Sequence, residues 1–430
     1  MRKRPNVLVF FTDQQRWDTV GRHGNPLNIT PNFDHLSREG CFVRESFTCQ
    51  PVCTPARAAL QTGRYQSRTG VYRNDITLPL EEHTLGHHFR EHGYSTGYIG
   101  KWHLASDNPV PKDEQAGYDY WLASNILEFT STAYETTVYE ADGTPQNLPG
   151  YRVDALTDAA IRWMDQSRDD PFFLFLSFLE PHHQNQTDDY PAPSGIESWL
   201  QGRNPELPED LKTLGGTSAE HYFGYMGMIS RLDAALGRIA DMLRSRGMLD
   251  DTIVLFSSDH GCHFKTRNDE YKRSCHEASI RVPTFIRGPG FEPGSEPDRP
   301  VSLIDLPPTL LDAAGITPPD EMQGRSILSD GGPQDIFIQI SESHVGRALR
   351  TGRWKYEISG EGVDGWDDSG ASTYREAFLY DLETDPHELN NLVGDPGLTD
   401  VRAGLRERLL ERMVEAGEDR PEVLAAEMAG

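Results

Sequence analysis

At 430 residues, with 37% apolar and 25% charged content, the chain suits a globular protein with one large domain and a smaller one. A formal net charge of −26 argues against nucleic-acid binding, because phosphate contacts need a basic surface; an anionic ligand would have to meet basic groups gathered in a pocket. No apolar run approaches the roughly eighteen residues of a membrane span. The opening Met1-Arg2-Lys3-Arg4 faintly resembles a signal peptide, but the apolar run 7–11 is too short and lacks a small-residue cleavage site. Five cysteines (41, 49, 53, 262 and 275) form no disulfide framework. A reducing compartment, hence a cytoplasmic location, is the expectation unless an upstream signal is missing.

In chain order, nearly continuous apolar runs at 6–11, 95–99, 172–178 and 252–257 read as strands covered on both faces. Helical patterns alternate with them, which predicts an α/β fold: a mainly parallel central sheet sandwiched by helices over residues 1–325. After the first strand comes Cys53-Thr54-Pro55-Ala56-Arg57, read as a helix start with Thr54 as N-cap, Pro55 at the first helical position and Gly63 as the stop. Segment 184–216 is rich in Pro and Gly and reads as a long functional loop. Tyr222, Met226, Ile229, Leu232, Leu236, Ile239 and Leu243 then recur at helical spacing, and are read as core rather than as ligand contacts. Residues 326–430 change texture: short strands at 336–340, 348–350, 354–357 and 378–380, interrupted by a Gly/Asp-rich loop at 360–370, then a charged helix at 401–415. A small antiparallel sheet with a terminal helix follows as the second domain.

Ligands gather beyond the carboxyl ends of strands in open parallel sheets. Here the four strand ends deliver Asp13-Gln14, Lys101 with His103, His182-His183 and Asp259-His260. Asp13 and Asp259 suit a hard divalent cation, with Gln14 adding an amide oxygen; His260 is better matched to softer metals. Lys101, Lys272 and Arg57 could meet an anion, while His103 and His182 could transfer protons near neutral pH. Taken singly, each is more simply a solvated or hydrogen-bonded residue; it is their convergence that carries information.

Over nearly its whole length the chain resembles the type I, formylglycine-dependent sulfatases of the alkaline phosphatase superfamily. The resemblance rests on Asn6-Val7-Leu8 with Asp13-Gln14, Thr30-Pro31-Asn32, Cys53-Thr54-Pro55-Ala56-Arg57 extended to Thr62-Gly63-Arg64, Gly100-Lys101-Trp102-His103, Pro181-His182, Ser258-Asp259-His260-Gly261, Lys272 and Arg281-Val282-Pro283, in that order. It implies that Cys53 is oxidised to formylglycine by a maturation enzyme, and that a hydroxyl of the hydrated aldehyde attacks sulfur. By the same resemblance, Asp13, Gln14, Asp259, His260 and modified Cys53 hold Ca2+. Arg57 assists the nucleophile, Lys101 and Lys272 neutralise the sulfuryl oxygens, His182 protonates the leaving alcohol, and His103 takes the proton of the second hydroxyl.

Two departures stand out. Many members carry two carboxylates where this chain has Asp13-Gln14, and Asn or Gln where it has His260. One formal charge fewer weakens calcium binding and admits another divalent metal. The substrate class implied is a sulfated mono- or oligosaccharide, walled by 184–216, His344 and 360–370. The alternative is a phosphonate monoester or phosphodiester hydrolase working with the same groups.

Overall fold

The computed structural model describes residues 4–203 and 205–426. A nine-stranded sheet runs through it in the order Cys41–Val43, Thr284–Arg287, Thr252–Ser258, Asn6–Thr12, Phe172–Ser177, Ser95–Lys101, Tyr120–Ser124, Glu135–Glu140 and Pro145–Pro149. The five strands from Thr252–Ser258 to Tyr120–Ser124 are mutually parallel. Antiparallel strands extend the sheet at either side.

The uninterrupted apolar run of the first strand follows from burial on both faces. Val7, Val9 and Phe11 enter one core and Leu8 and Phe10 the other, because successive strand side chains point to opposite sides. On the Leu8 side pack Pro31–Arg38, Arg152–Met164 and the long helix Ser218–Ser245, which buries Leu232, Leu236, Ile239 and Leu243 there. Each such side chain contributes about 1.5–3 kcal/mol. The Val7 side is covered by Cys53–Thr62, Leu85–Glu91 and Leu306–Ala313.

A second, five-stranded sheet comprises Asp335–Ile340, Gly346–Thr351, Trp354–Gly360, Thr373–Asp381 and Glu422–Leu424, with the helix Thr399–Ala416 against it. Its first four strands are antiparallel, whereas Glu422–Leu424 joins parallel to Thr373–Asp381, a strand the sequence reading lacked. Tyr65 and Ile304 of the first part share a buried cluster with Phe337, Leu349 and Leu409 of the second.

Two local expectations are corrected. Segment 184–216 is not simply a loop: it holds the helices Ile196–Gln201 and Glu209–Leu214, whose Leu200 and Leu211 are buried with Tyr190, Tyr222 and Tyr225. Each contributes too few apolar residues to show a period. Thr54 is not the N-cap of the Cys53–Thr62 helix either. Val52 holds that position in extended conformation, and Cys53 is the first helical residue, so Pro55 falls at the third helical position and not the first. The side chain of Asn74, from a distant loop, accepts the Thr54 N–H at 3.2 Å, so the helix start is capped without help from Thr54.

Candidate active site

Four neighbouring parallel strands, Thr252–Ser258, Asn6–Thr12, Phe172–Ser177 and Ser95–Lys101, end on the same edge of the sheet. Asp259 and Asp13 follow the first two directly, His182 lies just beyond the third, and Lys101 closes the fourth. The N-terminus of the Cys53–Thr62 helix meets this edge. Cys53 Sγ lies 3.7 Å from Asp13 Oδ1, 3.3 Å from His260 Nε2 and 2.8 Å from Lys272 Nζ. All these side chains are buried.

Arg57, one helical turn beyond Cys53, organises the carboxylates. One guanidinium nitrogen reaches Asp13 Oδ2 at 2.9 Å and Asp259 Oδ2 at 3.3 Å. The other donates to Lys101 O at 3.0 Å and Ser177 Oγ at 2.8 Å. Lys101 Nζ lies 2.9 Å from both Asp13 Oδ2 and Glu128 Oε1. Lys272 Nζ is 3.2 Å from His182 Nε2, whose ring is fixed by a 2.7 Å contact from Nδ1 to His183 O. That contact assigns an N–H to Nδ1 and leaves Nε2 facing the ammonium. His103, whose side chain also helps to lower the Cys53 thiol, has a positive φ of 60°.

Charge follows geometry. Burial alone would push the Cys53 thiol up, but Lys272, Lys101 and His260 hold it well below the usual thiol range. Asp13 is likewise driven up by burial and by Cys53, yet Lys101, His182 and Arg57 keep it far below an ordinary carboxyl. Asp259 goes the other way, pushed up by burial and by the neighbouring Asp13 charge. Two buried carboxylates this close resist joint ionisation, and a divalent cation between them removes that conflict.

The donor set fits such a cation. Ligand atoms of Asp13, Cys53, Asp259 and His260 all lie within 4.8 Å of one another, every one buried. His260 Nδ1 contacts Gly261 O at 2.9 Å, which leaves Nε2 free to coordinate. Gln14, at φ 67°, directs its amide nitrogen to Tyr190 Oη at 3.0 Å, and its buried Oε1 has no hydrogen-bond partner. A carbonyl oxygen orphaned in this way is a ready cation ligand.

Of the residues predicted from sequence, Asp13, Cys53, Arg57, Lys101, His103, His182, Asp259, His260 and Lys272 form this one cluster, with Gln14 at its side. His344 is engaged elsewhere, with Glu357 Oε1 at 2.7 Å and Ser343 Oγ at 3.0 Å. Sequence reasoning missed Glu128, which holds Lys101, and Glu342, which accepts the Asn74 N–H at 2.7 Å and pairs with Arg273 at 2.5 Å. Neither sits in a motif; each is brought in by the path of a loop.

The sulfatase family profile matches residues 5–316. The chain is 29% identical over 444 residues to an ulvan-active sulfatase of Formosa agariphila, covering 97% of this chain and 82% of that protein. It is 25% identical over 483 residues to an N-acetylglucosamine-6-O-sulfatase of Bacteroides thetaiotaomicron, covering 91% and 83%. A solved structure of a protein with its substrate, D-glucosamine-2-N,6-O-disulfate, superposes with a TM-score of 0.78 at 22% identity, over 96% of this chain and 98% of the other. With a matching profile over most of its length and relatives that span it nearly end to end, this chain belongs to the sulfatase family.

Proposed function

We propose that the protein hydrolyses sulfate esters of a carbohydrate, with formylglycine made from Cys53 and a divalent cation, Ca2+ in the first instance, at its centre. The convergence of Asp13, Asp259, His260, Arg57, Lys101 and Lys272 on Cys53 carries this reading, and the carbohydrate substrates named for the relatives support its substrate class. When bound, such a cation would supply Lewis-acid polarisation of a sulfate ester, and the hydrated aldehyde would supply the attacking hydroxyl.

The remaining work falls to the side chains. Asp13, Asp259, His260 and Gln14 would hold the cation. Arg57 bridges the two carboxylates and fixes their spacing, so that little reorganisation accompanies binding. Lys101 and Lys272 bring positive charge to a tetrahedral anion in a site screened from water, where electrostatic attraction is strong. His182 Nε2, beside Lys272, is placed to hold a proton for the departing oxygen. His103, next to Cys53, is placed to accept one from the opposite side of the cycle.

Turnover of 4-nitrophenyl sulfate against an aryl phosphonate monoester tests the reaction class. Preference for the sulfate supports the proposal; equal or inverted preference would make the protein a phosphonate or phosphodiester hydrolase. A desulfation screen over sulfated mono- and oligosaccharides then identifies the sugar.

A further inference from the structure

Several arginines of the chain are tied up in ion pairs. Arg57 bridges Asp13 and Asp259, Arg273 pairs with Glu270 and Glu342, and Arg347 pairs with Glu418. Arg73 forms no ion pair among the described residues. Its hydrogen bond is to Asn74 O, at 3.1 Å, and its Nε is buried without a partner. The guanidinium instead lies 4.6 Å over the ring of Trp366, and that tryptophan is 40% exposed. In a chain of net charge −26, an unpaired arginine on an exposed indole is a conspicuous arrangement.

Its place in the fold ties it to the reaction centre. Asn74, the next residue, caps the helix that begins at Cys53. Glu342, at φ 67°, accepts the Asn74 N–H, pairs with Arg273 beside Lys272, and donates its own N–H to Gly365 O at 2.7 Å. The Trp366 loop is further held by Tyr72 Oη donating to Asp367 O at 2.9 Å. Within that loop, Asp364 Oδ1 accepts the N–H groups of Trp366 and Asp367, and Asp368 Oδ2 accepts that of Asp364. Those two carboxylates therefore brace the loop instead of neutralising Arg73. The result is a fixed rim made of one cation and one aromatic surface, linked by short bonds to the segments bearing Cys53 and Lys272.

We propose that Arg73 and Trp366 form a saccharide subsite beyond the scissile sulfate, in which the indole packs on a sugar ring and the guanidinium binds a second anionic group of the same saccharide. This rests on the carbohydrate sulfatase reading above. Arg presents a planar fork of N–H donors that matches a sulfate or a carboxylate, and its stacking on Trp366 limits the rotamer freedom lost on binding. The exposed part of the indole offers rigid apolar surface to the C–H face of a sugar. The scissile group itself goes to the Cys53 cluster, so the rim selects for substrates charged twice.

The test uses titration calorimetry in a Cys53→Ala background, where no turnover occurs, with N-acetylglucosamine 6-sulfate and glucosamine 2-N,6-O-disulfate as probes. With Arg73 intact, the disulfated sugar should bind about tenfold more tightly than the monosulfated one, as suits one charge-assisted pair. Arg73→Ala should bring that ratio close to one, and Arg73→Lys should keep part of it. Trp366→Ala should weaken both sugars and lower the ratio only in part, because Arg73 remains but loses the ring that orients it. A ratio near one with Arg73 intact, a ratio retained in Arg73→Ala, or no measurable binding of either sugar overturns the proposal. Turnover of 4-nitrophenyl sulfate by the unmutated enzyme judges the reaction class separately, so failure of the subsite and failure of the sulfatase reading are distinguishable.

Discussion

The ammonium nitrogen of Lys272 stands 2.8 Å from the sulfur of Cys53, with both side chains buried. It also lies 3.2 Å from His182 Nε2, so one cation touches both the residue proposed to become the nucleophile and the proposed proton donor. Lys272→Ala should therefore lower kcat on the order of a hundredfold or more. The loss should be larger for an alkyl sulfate than for 4-nitrophenyl sulfate, because a poor leaving group depends more on protonation. Steady-state kinetics on the two esters checks this; equal losses would remove Lys272 from leaving-group departure.

Arg57 touches Asp13 and Asp259 with one nitrogen and Lys101 O and Ser177 Oγ with the other. Arg57→Ala would leave two buried carboxylates without their shared partner, a change that costs about 3–5 kcal/mol. Denaturant midpoints should fall accordingly in metal-free protein and recover in part when a divalent cation is added, since the cation replaces the missing positive charge. A variant as stable as the parent would contradict the bridging role.

Chelation should abolish turnover and lower Tm, and Ca2+ should restore both. The ligand set has two carboxylates, a neutral amide and an imidazole, fewer charges than an all-carboxylate calcium site. Mn2+ or Mg2+ should consequently restore a measurable share of activity. Full activity in excess chelator, after prolonged dialysis, would remove the cation from the account.

Several histidines are held neutral by burial. His263 is pushed down to about 4, mainly by burial and then by Arg267, despite its contact with Lys272 O, and His276 is pushed well below its usual value by burial, Arg267 and Lys355. A histidine with a lowered folded pKa binds its proton more readily in the unfolded chain. Its contribution to stability is complete above about pH 6.5 and is lost as pH falls from there toward the folded value, near 4 for His263. Each such group steepens the loss by up to about 1.4 kcal/mol per pH unit. Urea midpoints measured between pH 7.5 and pH 4.5 should fall, and His263→Gln should flatten the slope. A flat profile in the parent protein would contradict the burial argument.

Much of this arrangement was legible in the chain itself. Doubly buried strands announce themselves as apolar runs, and a residue placed just after such a run must sit at a strand's carboxyl end, which is why Asp13, Lys101 and Asp259 could be located without coordinates. The strands Cys41–Val43, at one edge of the sheet, and Glu135–Glu140, next to the other edge, were missed, because short or half-solvated strands carry little pattern. Glu128, Asn74 and Glu342 were equally hidden. Their importance comes from long-range contacts with Lys101, Thr54 and Arg273, and nothing local distinguishes them from ordinary polar loop residues. The capping of the Cys53 helix shows the same limit: local preference pointed to Thr54, whereas a side chain twenty positions away fills the role.

The central claim is that Cys53 is a precursor and not the final chemical group. Peptide mass spectrometry over the segment containing Cys53, on enzyme purified from a source with the maturation activity, tests it directly. The account predicts a peptide in which the thiol is replaced by an aldehyde or its hydrate, its abundance rising in proportion to sulfatase activity across preparations. Fully active enzyme in which the Cys53 thiol is intact would contradict it.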